Sequence, residues 1–384
     1  MSASCVFRDE GKLSPEYLPQ RTPHRDGERR ELFEIYRPML KDEGLAPIAF
    51  LVGPVGSGKT MMVRMLGKEM EEKGVLHGCT IKPVSVNCRT DRTPTAVMNR
   101  VVEALGARFP KRGLEAQETL RFVLDMLART RGRLLLILDE ADSLVSAGDR
   151  SLLYSLARLR EIHGSSRVAL LMLSKSTRFL LALDASTRSS LQKTTLALSG
   201  YTVDQLVDII ASRAEESMQP GAMGVDVARF IANLSQGGDA RYCVELLLRS
   251  GSASERRGAC SVAVSDVLEA RNSLPPGVDL QELQYLTEHE RLVLTAAANL
   301  LRGSRAFIST GELEAEYRGL CATSSVKHCG HTTFWMTLQK LKAKDFLGME
   351  RSGRGRRGRT TLIMLRIRAA DAMRGLDKTA WSRA

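Results

Sequence analysis

The stretch Gly53-Pro-Val-Gly-Ser-Gly-Lys59-Thr60 constrains the fold of this 384-residue chain more than any other. It satisfies G-x-x-x-x-G-K-[ST] at every fixed position. It also lies between a predicted strand, Ile48 to Val52, and a predicted helix over 60–73, which is the context the pattern needs. Gly56 and Gly58 let the backbone curl until several N–H groups converge on a β-phosphate. The helix that follows adds the positive end of its dipole. Lys59 is placed to reach the β- and γ-phosphates, and the Thr60 hydroxyl to ligate Mg²⁺. Residues Pro54, Val55, Gly56, Ser57, Gly58, Lys59, Thr60 and Met61 therefore read as the loop that binds ATP or ADP.

A loop of this kind needs an acidic partner, and Leu134 to Leu138 followed by Asp139-Glu140 supplies one. A buried strand delivers Asp139 to the sheet edge, where it holds Mg²⁺ through water. Glu140 beside it orients or deprotonates the attacking water, and Asp142 is expected to cap the next helix. Further apolar strands are predicted at Ile81 to Val86, Val168 to Leu173 and Thr194 to Leu198. Helices over 94–106, 116–131 and about 150–163 alternate with them. Continuous apolar strands between amphipathic helices imply an α/β fold with a parallel sheet covered on both faces. Aromatic residues make up only 5% of the chain, so aliphatic side chains must fill its core.

No apolar run approaches the roughly 18 residues that span a bilayer. The N-terminus lacks a signal pattern, so a soluble, cytoplasmic protein with no membrane partner is expected. The seven scattered cysteines then read as reduced thiols or small core residues. Cys321, His328, Cys329 and His331 do not have the paired spacing of a zinc ribbon or finger and are not read as a metal site.

Prolines 15, 19 and 23 keep the N-terminal 30 residues out of long helices, and helical periodicity begins at Arg29 to Leu40. After Tyr201 the pattern is wholly helical (202–217, 224–235, 239–252, 263–272) until Ser273-Leu-Pro-Pro-Gly277 breaks it. Helices near 281–301, 309–320 and 331–344 and a hairpin at about 347–368 then outline a winged helix-turn-helix. The expected domains are a nucleotide-binding base over 1–200, a helical lid over 201–275 and a winged helix over 276–384. The formal net charge is +12, and between Arg351 and Arg368 there are seven arginines and no acid. That bias points to nucleic acid. In a winged helix the third helix enters the major groove and the hairpin lies along an adjacent minor groove. Thr332, Thr333, Trp335, Gln339 and Lys340 are the polar or interfacial positions of that helix, with Phe334, Leu338 and Leu341 at core spacing; Trp335 fits either role. Arg354, Arg356, Arg357 and Arg359, interleaved with glycines, are placed to neutralise phosphates or enter a narrow groove.

Taken together, the loop, the acidic strand end and a helical lid bearing Gly238-Asp-Ala-Arg241 resemble the AAA+ ATPases. The finer similarity is to the archaeal Orc/Cdc-type replication initiators. It rests on the leader Leu13-Ser-Pro-Glu-Tyr-Leu-Pro-Gln-Arg-Thr-Pro-His-Arg25 and on Val86-Asn-Cys-Arg89 with Thr93-Pro94. Leu105-Gly106, Gly113-Leu114 and Tyr201-Thr-Val-Asp-Gln-Leu206 follow in the family's order. This resemblance spans essentially the whole chain and implies roles. Arg241 is the lid arginine that touches the γ-phosphate. Tyr17, Pro19 and Arg21 pack around adenine with Ile209 beneath it, and Tyr201 belongs to the same nucleotide-contacting set. Arg188 is either an arginine finger offered to a neighbour or a solvated helix-end residue. Arg89, Arg92 and Arg112 sit on an insertion that touches duplex DNA.

One position departs from the family pattern. Where the family places an asparagine after the fourth strand, this chain has Ser174-Lys175-Ser176. Lysine cannot accept a hydrogen bond from water, so slow turnover with retained ADP is implied. The resemblance implies an ATP-switched initiator at replication-origin duplex, with paralogous initiator subunits and the replicative helicase as partners. A motor or transposition-type ATPase, and a winged-helix transcription regulator with structural nucleotide, stay open because fold does not fix function.

Overall fold

A computed structural model of the chain describes residues 4–41, 45–107, 115–146, 151–159, 161, 167–191, 194–235, 237–274, 280–303, 305–351 and 361–380. Its contacts divide the chain into two units, Thr22–Gly200 and a second formed by Met1–Arg21 with Tyr201–Ala384.

Thr22–Gly200 is built on five parallel strands: β1 (Ile48–Val52), β2 (Ile81–Asn87), β3 (Arg133–Asp139), β4 (Val168–Ser174) and β5 (Thr195–Ala197). They run in the order β2-β3-β4-β1-β5. The pleat sorts the apolar strands into two cores. Leu134, Leu136 and Leu138 of β3 face one side with Leu170 and Met172 of β4. Leu135 and Ile137 face the other with Ala169, Leu171 and Leu173. Helices α3 (Pro94–Ala104) and α4 (Ala116–Arg129) cover the first side through Val97, Val101, Leu120 and Val123. Helices α1 (Asp26–Tyr36) and α2 (Lys59–Leu76) cover the second through Leu32, Tyr36, Met62, Leu66 and Met70. Helical order starts at Asp26, earlier than the periodicity implied. It tightens into a 3-10 turn at Arg37–Leu40, because Pro38 has no N–H to continue an α-helix. Short helices α5 (Asp142–Ser146), α6 (Ser151–Ala157) and α7 (Ala185–Leu191) complete this unit. Asp142, expected as a cap, is instead the first residue of α5.

In the second unit the lid comprises α8 (Val203–Ser217), α9 (Val225–Leu234), α10 (Ala240–Arg256) and α11 (Val264–Asn272). Thr202 and Gln205 form a capping box at the start of α8, satisfying donors the helix cannot. The N-terminal segment packs into the lid core: Phe7 pairs with Met218, and its ring leaves no room for a side chain at Gly251.

The winged helix follows, with α12 (Glu288–Leu300), β6 (Ile308–Ser309), α13 (Thr310–Thr323), α14 (His331–Ala343), β7 (Leu347–Arg351), β8 (Thr361–Leu365) and α15 (Ala369–Ala380). The expected single helix over 281–301 is interrupted: a 3-10 turn spans Leu280–Tyr285, and Thr287 caps α12 anew. Neither α15 nor β6, which pairs with β8 in the order β6-β8-β7, was anticipated. Lid and winged helix meet along α9 and the hairpin. Asn233 Nδ2 donates to Glu350 Oε2 at 3.0 Å and Arg366 Nε to the Asn233 carbonyl at 3.0 Å. Met364 of β8 joins the lid core.

Glu290 ties the first winged-helix element to the third. Its carboxylate accepts the Thr287 N–H at 2.9 Å and pairs with Lys344, just past the end of α14, at 2.9 Å. Burial alone raises a carboxyl pKa, but these donors outweigh it and hold Glu290 below its ordinary 4.5. The folded state therefore binds fewer protons than the unfolded one. The stabilisation is full above pH 4.5 and lost as pH falls through the folded-state pKa. Glu290→Gln is expected to cost about 1–3 kcal/mol at neutral pH. It should also flatten the acid limb of a thermal-denaturation pH series; an unchanged limb would remove Glu290 from its origin.

Candidate nucleotide site and nucleic-acid interface

β1 ends at Val52, opposite Ser174 of β4, and Gly53 begins the loop at that sheet edge. A Cβ at Gly53 would stand 2.6 Å from the Leu198 carbonyl oxygen, so only glycine fits. Gly56 and Gly58 have φ of 70° and 92°, the left-handed region that glycine enters without strain. Ser57 is buried and its hydroxyl donates to the Pro54 carbonyl at 2.9 Å, drawing the loop around. Helix α2 starts at Lys59 with no side chain capping its first turn. Its leading N–H groups are thus presented to whatever anion the loop encloses. The Lys59 ammonium bonds the loop's own carbonyls, Gly53 at 2.6 Å and Pro54 at 2.8 Å. Val55 is exposed at the tip.

β3 brings Asp139 to the same edge, and Thr60 Oγ1 donates to Asp139 Oδ2 at 3.0 Å. The two residues expected to share a metal are thus neighbours, and both offer the hard oxygens that suit Mg²⁺. Asp139 Oδ1 accepts the Glu140 N–H at 2.9 Å. Glu140 has φ of 52°, a left-handed conformation that costs a non-glycine residue of order 1–3 kcal/mol and clusters at functional sites. Cys88, beside Asp139, has its thiol pushed up to about 12, mainly by burial, and stays protonated. At the end of β4 the structure draws in Ser174 and leaves Lys175 exposed. Ser174 Oγ lies 3.1 Å from Asp142 Oδ1 and 2.9 Å from the Ser176 carbonyl.

Arg25, the last residue of the leader, was overlooked. It is 4% exposed, and its guanidinium binds three groups: the Ser57 carbonyl at 3.3 Å, the Ser199 carbonyl at 2.5 Å and Glu28 at 2.7 Å. It fastens the inner turn of the phosphate loop to the segment leaving β5. Arg188 lies half-buried on α7, whose start is held by Asp184 accepting the Thr187 N–H at 2.9 Å.

The remaining expected nucleotide residues belong to the other unit. Tyr17 donates to Glu216 Oε2 at 2.8 Å, and the Arg213 guanidinium lies 5.0 Å from its ring centroid. Ile209, half-buried, is one turn before Arg213 on α8. Pro19 is buried and Arg21 exposed. Tyr201 is buried and donates its N–H to the Gly238 carbonyl at 3.3 Å. Arg241 is exposed in the first turn of α10, which Asp239 caps by accepting the Tyr242 N–H at 3.1 Å.

On the winged helix, α14 buries Phe334, Thr337, Leu338 and Leu341 and exposes Thr332, Thr333, Trp335, Gln339 and Lys340. Trp335 therefore faces outward, as does Met336 at 51% exposure. His331 bonds Glu314 at 2.8 Å, Tyr317 bonds Cys329 Sγ at 3.0 Å, and Cys321 is buried. Arg89 and Arg92 are exposed just past β2, where Arg92 Nε donates to the Arg89 carbonyl at 2.8 Å. Arg112 and the wing arginines Arg354, Arg356, Arg357 and Arg359 lie outside the described residues. Among the described residues no helix is long and apolar enough to cross a membrane.

Comparison with known proteins agrees along the whole chain. Family models described as an AAA domain, a Cdc6 AAA+ ATPase-type lid domain and a CDC6 C-terminal winged helix domain match residues 43–181, 207–272 and 281–374. The chain is 34% identical to ORC1-type DNA replication protein 1 of Aeropyrum pernix, over 94% of this chain and 92% of that one. With ORC1-type DNA replication protein 2 of Saccharolobus solfataricus it shares 29%, over 95% and 92%. Among solved structures, Cdc6p from Pyrobaculum aerophilum aligns with a TM-score of 0.74 at 27% identity, covering 97% of this chain and 99% of that one. The Aeropyrum pernix ORC1 protein in complex with DNA aligns at 0.65 with 31% identity, covering 99% and 98%.

Arg25→Ala removes a buried charge and with it the bonds to the Ser57 and Ser199 carbonyls and to Glu28. The expected result is an ATP affinity at least about tenfold weaker, worth ~1.4 kcal/mol, with helical content retained by circular dichroism. Titration with a fluorescent nucleotide reads it, and unchanged affinity would deny Arg25 a role in shaping the loop.

Proposed function

Because this chain belongs to the ORC1-type family of DNA replication proteins, we propose that it is a nucleotide-switched initiator that binds duplex DNA at replication origins and helps bring the replicative helicase there. The observation that carries the proposal is the pairing, in one chain matched from end to end, of the Thr60–Asp139 phosphate-loop edge with an outward-facing polar helix α14. One half senses nucleotide, and the other presents groups to base edges.

In the nucleotide half, Gly53 to Thr60 wraps the phosphates, and Lys59 exchanges its loop carbonyls for phosphate oxygens. Thr60 and Asp139 would hold Mg²⁺, which would supply positive charge beside the phosphates. We assign Glu140 to orienting water and Arg241 to reading the γ-phosphate from the lid. Tyr17, Pro19, Arg21, Tyr201 and Ile209 we assign to the base and sugar. The polar group that ends β4 is the short side chain of Ser174, and Lys175 beyond it cannot accept a hydrogen bond from water. Hydrolysis is therefore slow, and the nucleotide acts as a switch on the lid. Arg188 is the residue we assign to a neighbouring paralogous subunit.

In the DNA half, Thr332 and Thr333 at the start of α14 reach base edges, and Trp335 and Met336 offer apolar contact to thymine methyl groups. The wing arginines, with Arg89, Arg92 and Arg112, bind phosphates and set position without reading sequence.

Each half has its own tests. Footprinting across genomic fragments should reveal protection at a repeated origin element. Arg356→Ala with Arg357→Ala should weaken binding to all sequences and lower the salt slope by about 1 per arginine lost from phosphate; protection confined to promoters would favour a transcription regulator. For the nucleotide half, a single turnover should be followed by slow steady-state release. Glu140→Gln should abolish turnover while keeping ATP binding within about threefold, and rapid multiple turnover would instead indicate a motor.

A further inference from the structure

Arginines gather in a second place, away from the phosphate loop and from the exposed face of α14. A cleft of about 400 Å³ opens between lid helix α11 and the winged helix, lined by Arg271, Asn272, Arg302, Arg305, Arg368 and Arg374 among others. That volume is in the range of a small-ligand pocket. It shares no residue with the phosphate loop, and it lies at the Leu365 end of the hairpin, whereas the wing turns at the Arg351–Thr361 end.

The five guanidiniums are not fully neutralised by what surrounds them. Asp371, buried behind the cleft, pairs with both Arg368 and Arg374. Glu312 pairs with Arg305. Arg271 donates to the Ile367 carbonyl, and Arg368 also to the Asn272 carbonyl at 3.0 Å. Arg302 has no side-chain partner among the described residues. Among the described residues, five positive groups thus face two carboxylates. Burial lowers the Arg271 pKa from its ordinary value, and the nearby Arg368 lowers it further, which marks cations held close in a poorly solvated place. An anion that entered would relieve their mutual repulsion, and guanidinium forks match phosphate oxygens in pairs.

We propose that this cleft is a second anion site, built for a compact ligand bearing two or three linked phosphate groups, and that such a ligand ties the lid to the winged helix. A recessed pocket suits a small free anion better than a duplex, whose phosphates lie on a convex surface. The walls come from both domains: Arg271 and Asn272 from α11, the other four arginines from the turn after α12 and from the β8–α15 corner. Occupancy would therefore hold the wing in one orientation on the lid, independently of the nucleotide loop.

The test uses the full chain carrying Lys59→Ala, which disables the nucleotide loop, titrated calorimetrically with inorganic tripolyphosphate, pyrophosphate and orthophosphate. We expect one tripolyphosphate per chain, bound more tightly than pyrophosphate and far more tightly than orthophosphate. Arg302→Glu, on an exposed and unpartnered side chain, should weaken it at least tenfold, and Arg374→Ala at least threefold should Arg302→Glu fail to fold. Charge reversal at Arg318, outside the cleft, should change affinity less than twofold. Hydrogen exchange at 268–272 and 369–374 should slow on tripolyphosphate addition, and not in Arg302→Glu. ATP and GTP displacing tripolyphosphate equally would identify the triphosphate of a nucleotide as the source; failure to displace it would leave free polyphosphate. No binding to the Lys59→Ala chain, or full binding to Arg302→Glu, would overturn the proposal. So would Arg302→Glu weakening duplex DNA alone, since the cleft would then be a backbone contact.

Discussion

The parallel register of β1 with β4 and of β4 with β3 is the constraint on which the nucleotide half depends. It sets Val52 opposite Ser174 and Leu138 opposite Met172, so all three strands end at one edge. Parallel strands have no short connection, and each must be followed by a crossover. Every strand's C-terminal end therefore opens into a loop on the same side of the sheet. One such loop carries the glycines, one the Asp139-Glu140 pair and one Ser174. A register slip of one residue would turn every β3 leucine into the opposite core and carry Asp139 away from Thr60. The 3.0 Å bond between them thus depends on the two aliphatic cores that fix the register.

Much of this was legible because it is written in apolar periodicity. Strands β1, β3 and β4 read as nearly unbroken apolar runs, β2 as an alternating one, and their ends fell within a residue or so of the expected ones. Arg25 was not legible, for a physical reason. Its principal partners are the carbonyls of Ser57 and Ser199, 32 and 174 residues away in sequence, and a backbone carbonyl leaves no mark on residue identity. The leader drew attention to Arg21, which is exposed. At β4 the difficulty was strand parity: Ser174 and Lys175 are adjacent, and alternation turns one toward Asp142 and the other toward solvent. Helix α15 was hidden because the arginine run before it dominated the reading of the C-terminus. The two-residue β6 is too short for any period to show.

The winged helix depends on a different kind of link. Its three helices are set against one another by buried apolar groups, with Tyr317 and Phe334 rings 5.3 Å apart. Its attachment to the lid mixes apolar and polar contact: Met364 and Phe307 pack into the lid core, with the Phe307 and Phe230 rings 5.2 Å apart, while Glu350 meets Asn233 and Arg229, and Arg366 the Asn233 carbonyl. The polar contacts are directional and exchange readily with water. The polar bonds can re-form at modest cost as the two domains move, whereas the apolar contact beside them resists sliding.

That contrast bears on how nucleotide state can reach DNA. An element with two arrangements of similar free energy is needed, and each ligand must favour one of them. The core of Thr22–Gly200 is a poor candidate, since close-packed aliphatic layers do not have two comparable packings. The junction between the lid and the winged helix, where polar and apolar contacts are mixed, is a better one. At the cleft beside α11 five arginines face two carboxylates among the described residues, which is where an anion would act on it. A surplus of positive charge at a domain junction is where a bound anion would set the angle of the winged helix on the lid.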